Sequence, residues 1–158
     1  MPKEIGGNTM KAIIVDDSEY KRTRIKDYII SIDADIEIIE FECYIDAARF
    51  IASTRENKEK AKEYMLFLDW MFPLRKDSSI EENGRMMLEE INRLRLPLKT
   101  IIVSSDKVNI ADEYPFLIGS IIDDVSVYQK KQYADFINKF KEDLNEERSN
   151  SCGQQDVQ

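Results

Sequence analysis

The chain has 158 residues, 42% of them apolar, and a formal charge of −8, which suits one domain with its own hydrophobic core and opposes nonspecific attraction to a nucleic-acid backbone. It has no histidine and two cysteines, Cys43 and Cys152, which excludes Ser-His-Asp and Cys-His catalysis, His-ligated zinc and a disulfide framework. No apolar run is long enough to cross a bilayer, and residues 1–9 lack the apolar core of a secretion signal, so residence in a reducing cytoplasm is expected.

Residues 1–9, with Gly6-Gly7, read as a flexible leader. Lys11-Ala12-Ile13-Ile14-Val15 is an apolar run that stops at Asp16-Asp17, as a strand buried on both faces should. Ser18 is placed to cap a helix in which Ile25, Tyr28, Ile29 and Ile32 recur at helical spacing, and Asp33-Ala34-Asp35 ends it. Residues 37–42 read as a second strand. A helix with Ala47, Ala48, Phe50 and Ile51 follows. The charged stretch 54–63 extends it, with Arg55 and Glu59, and Glu56 and Lys60, each four apart.

Residues 64–68 form a third strand that delivers Asp69 at its end, and 71–83 read as a loop containing Pro73. The next helix places Met87, Leu88, Ile91 and Leu94 on one face and is expected to stop at Pro97. Residues 100–103 are a fourth strand ending at Ser104-Ser105. A helix is expected over 108–114, and the fifth strand lies at either 119–122 or 125–128. An amphipathic helix carrying Tyr133, Phe136, Ile137, Phe140 and Leu144 closes the domain, and 149–158 are expected to be a loose tail. The domain itself is thus expected to span 10–148.

Alternating strand and helix patterns predict an α/β fold: a doubly wound, five-stranded parallel sheet with helices on both faces. Ligands in such sheets bind beyond the carboxyl ends of the strands. Asp16, Asp17, Asp69 and Ser104 all fall there. Clustered carboxylates need a cation to stay ionised together, and an all-oxygen donor set suits Mg²⁺. An ionised carboxylate is also a competent nucleophile toward phosphorus.

Taken together, Val15-Asp16-Asp17-Ser18, Asp46-Ala47-Ala48, Leu68-Asp69-Trp70-Met71-Phe72-Pro73, Asn83-Gly84 and Ile101-Ile102-Val103-Ser104-Ser105 resemble the receiver domain of two-component response regulators. The resemblance covers most of 10–144 and implies a flavodoxin-like fold. It also implies Asp69 as phosphoacceptor, and Mg²⁺ held by Asp16, Asp17, Asp69 and the backbone carbonyl of Met71. Ser104 would stand for the family's Thr/Ser. A histidine kinase or phosphotransfer protein would be the phosphoryl donor.

Three departures stand out: a long segment before the third strand, a long loop over 74–83, and no Lys-Pro at the end of the fifth strand. Counting forward from Ser104 reaches Ser126, and counting back from the last helix reaches Gln129. The nearest lysines are Lys130 and Lys131, of which Lys130 is nominated for the lysine role.

The leading expectation is a stand-alone receiver in a phosphorelay, with no direct nucleic-acid or membrane contact. Its enzymatic activity would be limited to self-phosphorylation from small donors and autodephosphorylation. Its output would be contact with a downstream protein, or a homodimer, through the face of the fourth helix, fifth strand and fifth helix. The alternative is a degenerate receiver acting as a phosphorylation-independent adaptor. A Mg²⁺-dependent phosphohydrolase ranks third, because Trp70 and Met71 follow Asp69 where such enzymes commonly carry Asp-x-Asp.

Overall fold

In the computed structural model, residues 10–105, 108, 110, 113–123 and 128–156 are described, the last seven of them and Tyr128 by backbone alone. The expected leader, Ser126 and residues 109, 111 and 112 of the helix expected over 108–114 lie outside the described residues. Of that segment, Val108, Ile110, Glu113 and Tyr114 belong to no helix.

Five strands form one parallel sheet: β1 (Lys11–Val15), β2 (Glu37–Phe41), β3 (Tyr64–Leu68), β6 (Lys99–Ser104) and β7 (Leu117–Ile122). Their order is β2-β1-β3-β6-β7. The sheet therefore reverses direction of winding at β1, and β1 and β3 end side by side at that switch point. The fifth strand is thus the earlier of the two expected segments. Its register slips between Thr100 and Ile101, and Gly119 faces Ile101 there. A β-carbon on Gly119 would lie 2.4 Å from Phe136 Cζ, so the ring packs where a larger residue would stand.

Burial on both faces explains the unbroken apolar runs of β1 and β3. Alternate residues feed two cores. Ile13, Val15, Leu66, Leu68 and Ile102 face α2 (Tyr44–Ser53) and α4 (Asn83–Leu94). Ala12, Ile14, Met65, Phe67, Ile101 and Val103 face α1 (Glu19–Ile32) and α5 (Tyr128–Asp156). Tyr133 of α5 is fully inside, stacked on Tyr28 with centroids 5.1 Å apart.

Four boundaries differ from expectation. The charged stretch after α2 is not one continuous helix. It is a 3₁₀ turn (Thr54–Asn57) followed by the single-turn α3 (Lys58–Ala61). Asn57 leaves helical geometry and its side chain accepts from the backbone N–H of Lys60, a local competitor to the helix ladder. Residues 71–83 are not a plain loop, because β4 (Phe72–Pro73) pairs antiparallel with β5 (Ile80–Glu81). α4 ends at a left-handed Arg95 (φ 54°), two residues before Pro97. Finally, α5 continues through Ser149 to Asp156, where a loose tail was expected.

Candidate functional site

β1 and β3 are paired in register, Val15 opposite Leu68, so the residues that follow them meet at the edge. The backbone N–H of Asp69 continues the ladder by donating to the carbonyl of Val15 at 2.9 Å. Ser18 caps α1: its hydroxyl accepts from the N–H of Lys21 at 3.2 Å. Asp16 is held in place twice. Its carboxylate accepts from the N–H of Ser18 at 2.9 Å, and its carbonyl accepts from Arg22 Nη1 at 2.7 Å.

The carboxylates of Asp16, Asp17 and Asp69 come together, with one oxygen of each within 4.8 Å of the others. Asp16 is 1% exposed and Asp69 6% exposed. Burial, and then the charge of Asp16, pushes the Asp69 carboxyl up to about 7; Lys21 and the backbone N–H groups of Trp70 and Met71 pull the other way. Burial pushes Asp16 up to about 6, against the N–H of Ser18 and the charge of Lys21, with Asp17 and Asp123 adding to the rise. Without a cation these carboxyls compete to stay protonated. This acidic, all-oxygen cluster is compatible with a hard divalent ion, whose charge removes the competition.

Asp17 and Asp69 line a cleft of about 740 Å³ together with Ser104, Met71 and Trp70. Ser104 ends β6 and is 7% exposed, while Met71 is nearly half exposed. The segment expected to be a loop borders the mouth: Ile80 and Glu82 line the cleft, and the hairpin is tied to α2 by the N–H of Ile45 donating to Leu74 O at 3.0 Å. At the hairpin's base, Asn83 Nδ2 donates to Phe72 O at 2.7 Å, and Gly84 N–H donates to Trp70 O at 3.0 Å.

The structure thus brings together Asp16, Asp17, Asp69, Met71 and Ser104. It does not bring Lys130 to them: that side chain is exposed on the first turn of α5 and is not among the residues lining the cleft. Gln129, just before it, is buried, and its Nε2 donates to Ile122 O at 2.9 Å.

Among the described residues, two cations not expected from the sequence line the cleft, Lys21 and Arg85. Arg85 lies over the Trp70 ring at 5.3 Å and pairs with Glu82 and Glu113 at 3.4 and 3.7 Å. Lys21 follows Asp17 by four residues on the capped helix, a spacing visible in the sequence once Ser18 is taken as the cap.

Neither a protein-family model nor a curated protein matches the chain. Solved structures do. The signal receiver domain of a protein described as a Luxo repressor from Vibrio parahaemolyticus is 23% identical with a TM-score of 0.59, over 87% of this chain and 97% of that one. A LuxR-family DNA-binding response regulator from Staphylococcus aureus gives 21% and 0.59, over 83% and 98%. The receiver domain of the histidine kinase CKI1 from Arabidopsis thaliana, solved with Mg²⁺ and BeF₃⁻, gives 15% and 0.57, over 84% and 90%.

These similarities define a flavodoxin-like α/β domain. More particularly, its fold is that of the response-regulator receiver, as the sequence resemblance implied.

Proposed function

We propose that this chain is a phosphoacceptor receiver in two-component signalling, with Asp69 as the residue phosphorylated. The observation that carries this is the buried Asp69 clustered with Asp16 and Asp17 at the switch point of a receiver-type sheet. In the step itself, a carboxylate oxygen of Asp69 attacks the phosphorus of a phosphohistidine or of acetyl phosphate. The P–N or P–O bond of the donor breaks, its electron pair leaves with the donor, and an acyl phosphate remains on Asp69.

Asp16, Asp17, Asp69 and the Met71 carbonyl would hold Mg²⁺, which when bound supplies positive charge against the repulsion between carboxylate and phosphoryl group. Ser104 Oγ would donate to a phosphoryl oxygen. A histidine kinase or phosphotransfer protein is the expected donor, and the phosphorylated chain would act by changing its protein contacts.

The test uses Trp70, the single tryptophan, which lies next to Asp69 and is 8% exposed. Millimolar-range Mg²⁺ and then acetyl phosphate should each change its emission, and intact-mass measurement should show one added phosphoryl group. Asp69→Asn should abolish the added mass, and Asp17→Asn should weaken the Mg²⁺ response. A second possibility is a phosphorylation-independent adaptor, favoured by one feature: the residue following β7 is Asp123, where receivers carry a lysine. A Mg²⁺ response with no added mass under any donor would select it.

A further inference from the structure

The end of β7 is occupied by a closed ion pair. Ser104 stands opposite Ile122 in the ladder, and the N–H of Asp123 donates to Ser104 O at 2.8 Å. The position beside the hydroxyl is therefore Asp123, whose side chain is 3% exposed and is bound to Arg24 Nη2 from α1. A cation for an incoming phosphoryl group cannot come from that position.

α1 offers one instead. Lys21 is half buried, its backbone is fixed by the Ser18 cap, and its side chain lines the same cleft as Asp17, Asp69 and Ser104. Its charge bears on both Asp16 and Asp69. Among the described residues, the other cation lining the cleft, Arg85, is engaged by Glu82, Glu113 and the Trp70 face.

We infer that Lys21 is the lysine of this site: it pairs with a phosphoryl oxygen on Asp69, so the cation role has moved from the last strand to the first helix. This rests on the receiver reading of Asp69. It implies a different coupling as well. A lysine that follows the phosphoryl group here would draw on the start of α1, rather than on the strand next to α5, so phosphorylation would be felt first at α1.

The experiment titrates Trp70 emission with Mg²⁺ alone, then with BeF₃⁻ at saturating Mg²⁺, in the wild type, Lys21→Gln, Lys21→Arg and Lys130→Gln. Lys21→Gln should bind Mg²⁺ at least as well as wild type, because a competing positive charge is gone. It should bind BeF₃⁻ about tenfold or more weakly, the size of one lost charge-assisted hydrogen bond. Lys21→Arg should recover part of that loss, and Lys130→Gln should match the wild type.

Unchanged BeF₃⁻ affinity in Lys21→Gln overturns the assignment while leaving Asp69 as acceptor. So does a loss confined to Lys130→Gln. Loss of the Mg²⁺ response together with the BeF₃⁻ response in Lys21→Gln would mean a structural role for Lys21 and would also overturn it. A wild type that binds Mg²⁺ but never BeF₃⁻ removes the receiver reading itself.

Discussion

Arg24 and Asp123 form a buried ion pair between α1 and the end of β7, with side chains 15% and 3% exposed. Arg24 also lies against the Tyr20 ring at 5.3 Å, and its Nε has no hydrogen-bond partner among the described residues. The pair links the helix that follows Asp16-Asp17 to the strand that flanks Ser104.

Removing one partner leaves the other charge buried, which is costlier than removing both. Asp123→Ala should therefore lower unfolding stability by about 3 kcal/mol, and Arg24→Met with Asp123→Ala should recover much of it. Urea denaturation of the two single variants and the double variant measures the coupling. Equal, additive losses would show that the pair contributes little.

A β-carbon at Gly84 would lie 2.7 Å from the carbonyl oxygen of Asp69 and 2.8 Å from Trp70 Cα. Both are backbone atoms, so no side-chain rotation relieves the clash. Gly84→Ala should push the start of α4 away from the end of β3. The expected cost is about 1–3 kcal/mol, the range for overpacking a filled interior. Because Asp69 is one of the two atoms' owners, Mg²⁺ affinity should fall as well. A variant with full stability and unaltered Mg²⁺ binding would show that α4 shifts freely there.

The raised carboxyls give a pH dependence of definite sign. Burial pushes Asp69 up to about 7 in the fold from an ordinary value of 3.8, and Asp16 up to about 6. Between these values the folded chain holds protons that the unfolded chain has released, so this contribution to stability falls as pH rises. Asp69→Asn removes the Asp69 part. In chelator, the variant should match the wild type at about pH 4 and become more stable above about pH 7, by on the order of 4 kcal/mol. Saturating Mg²⁺ should erase or reverse the gap, since the ion binds the wild-type cluster and stabilises it. Thermal melts across pH, with and without Mg²⁺, read both effects.

The sheet was legible because strands buried on both faces must be apolar throughout, and β1, β3 and β6 announce themselves that way. The acidic cluster was legible for the same reason: Asp16-Asp17 and Asp69 end two of those runs abruptly. β7 was ambiguous because only Ile121 along it is fully buried, so its pattern is weak. β4 and β5 are two residues each, too short for an alternation to show. Lys21 escaped notice because the expected lysine was sought near the last strand, whereas a lysine four residues after Asp17 reads as ordinary helix surface. The turn at Asn57 depends on one side-chain hydrogen bond, which no periodicity reveals.

The hairpin's attachment offers a last test of how the cleft is built. Asn83 is 2% exposed, and its side-chain amide donates to the carbonyl of Phe72, which is itself in β4. This bond spans the base of the hairpin and holds the start of α4 against it, one residue before the Gly84 contact with Asp69. Asn83→Ala leaves the buried Phe72 carbonyl without this donor, at a cost of about 1–3 kcal/mol. Asn83→Asp, of similar size, should cost at least as much, because it sets a carboxylate oxygen against the carbonyl. Both variants should loosen the hairpin that carries Ile80 and Glu82, and amide exchange at 72–82 should quicken more than in β1 or β3. Uniform quickening across the sheet would instead mean that the hairpin and the sheet open as one unit.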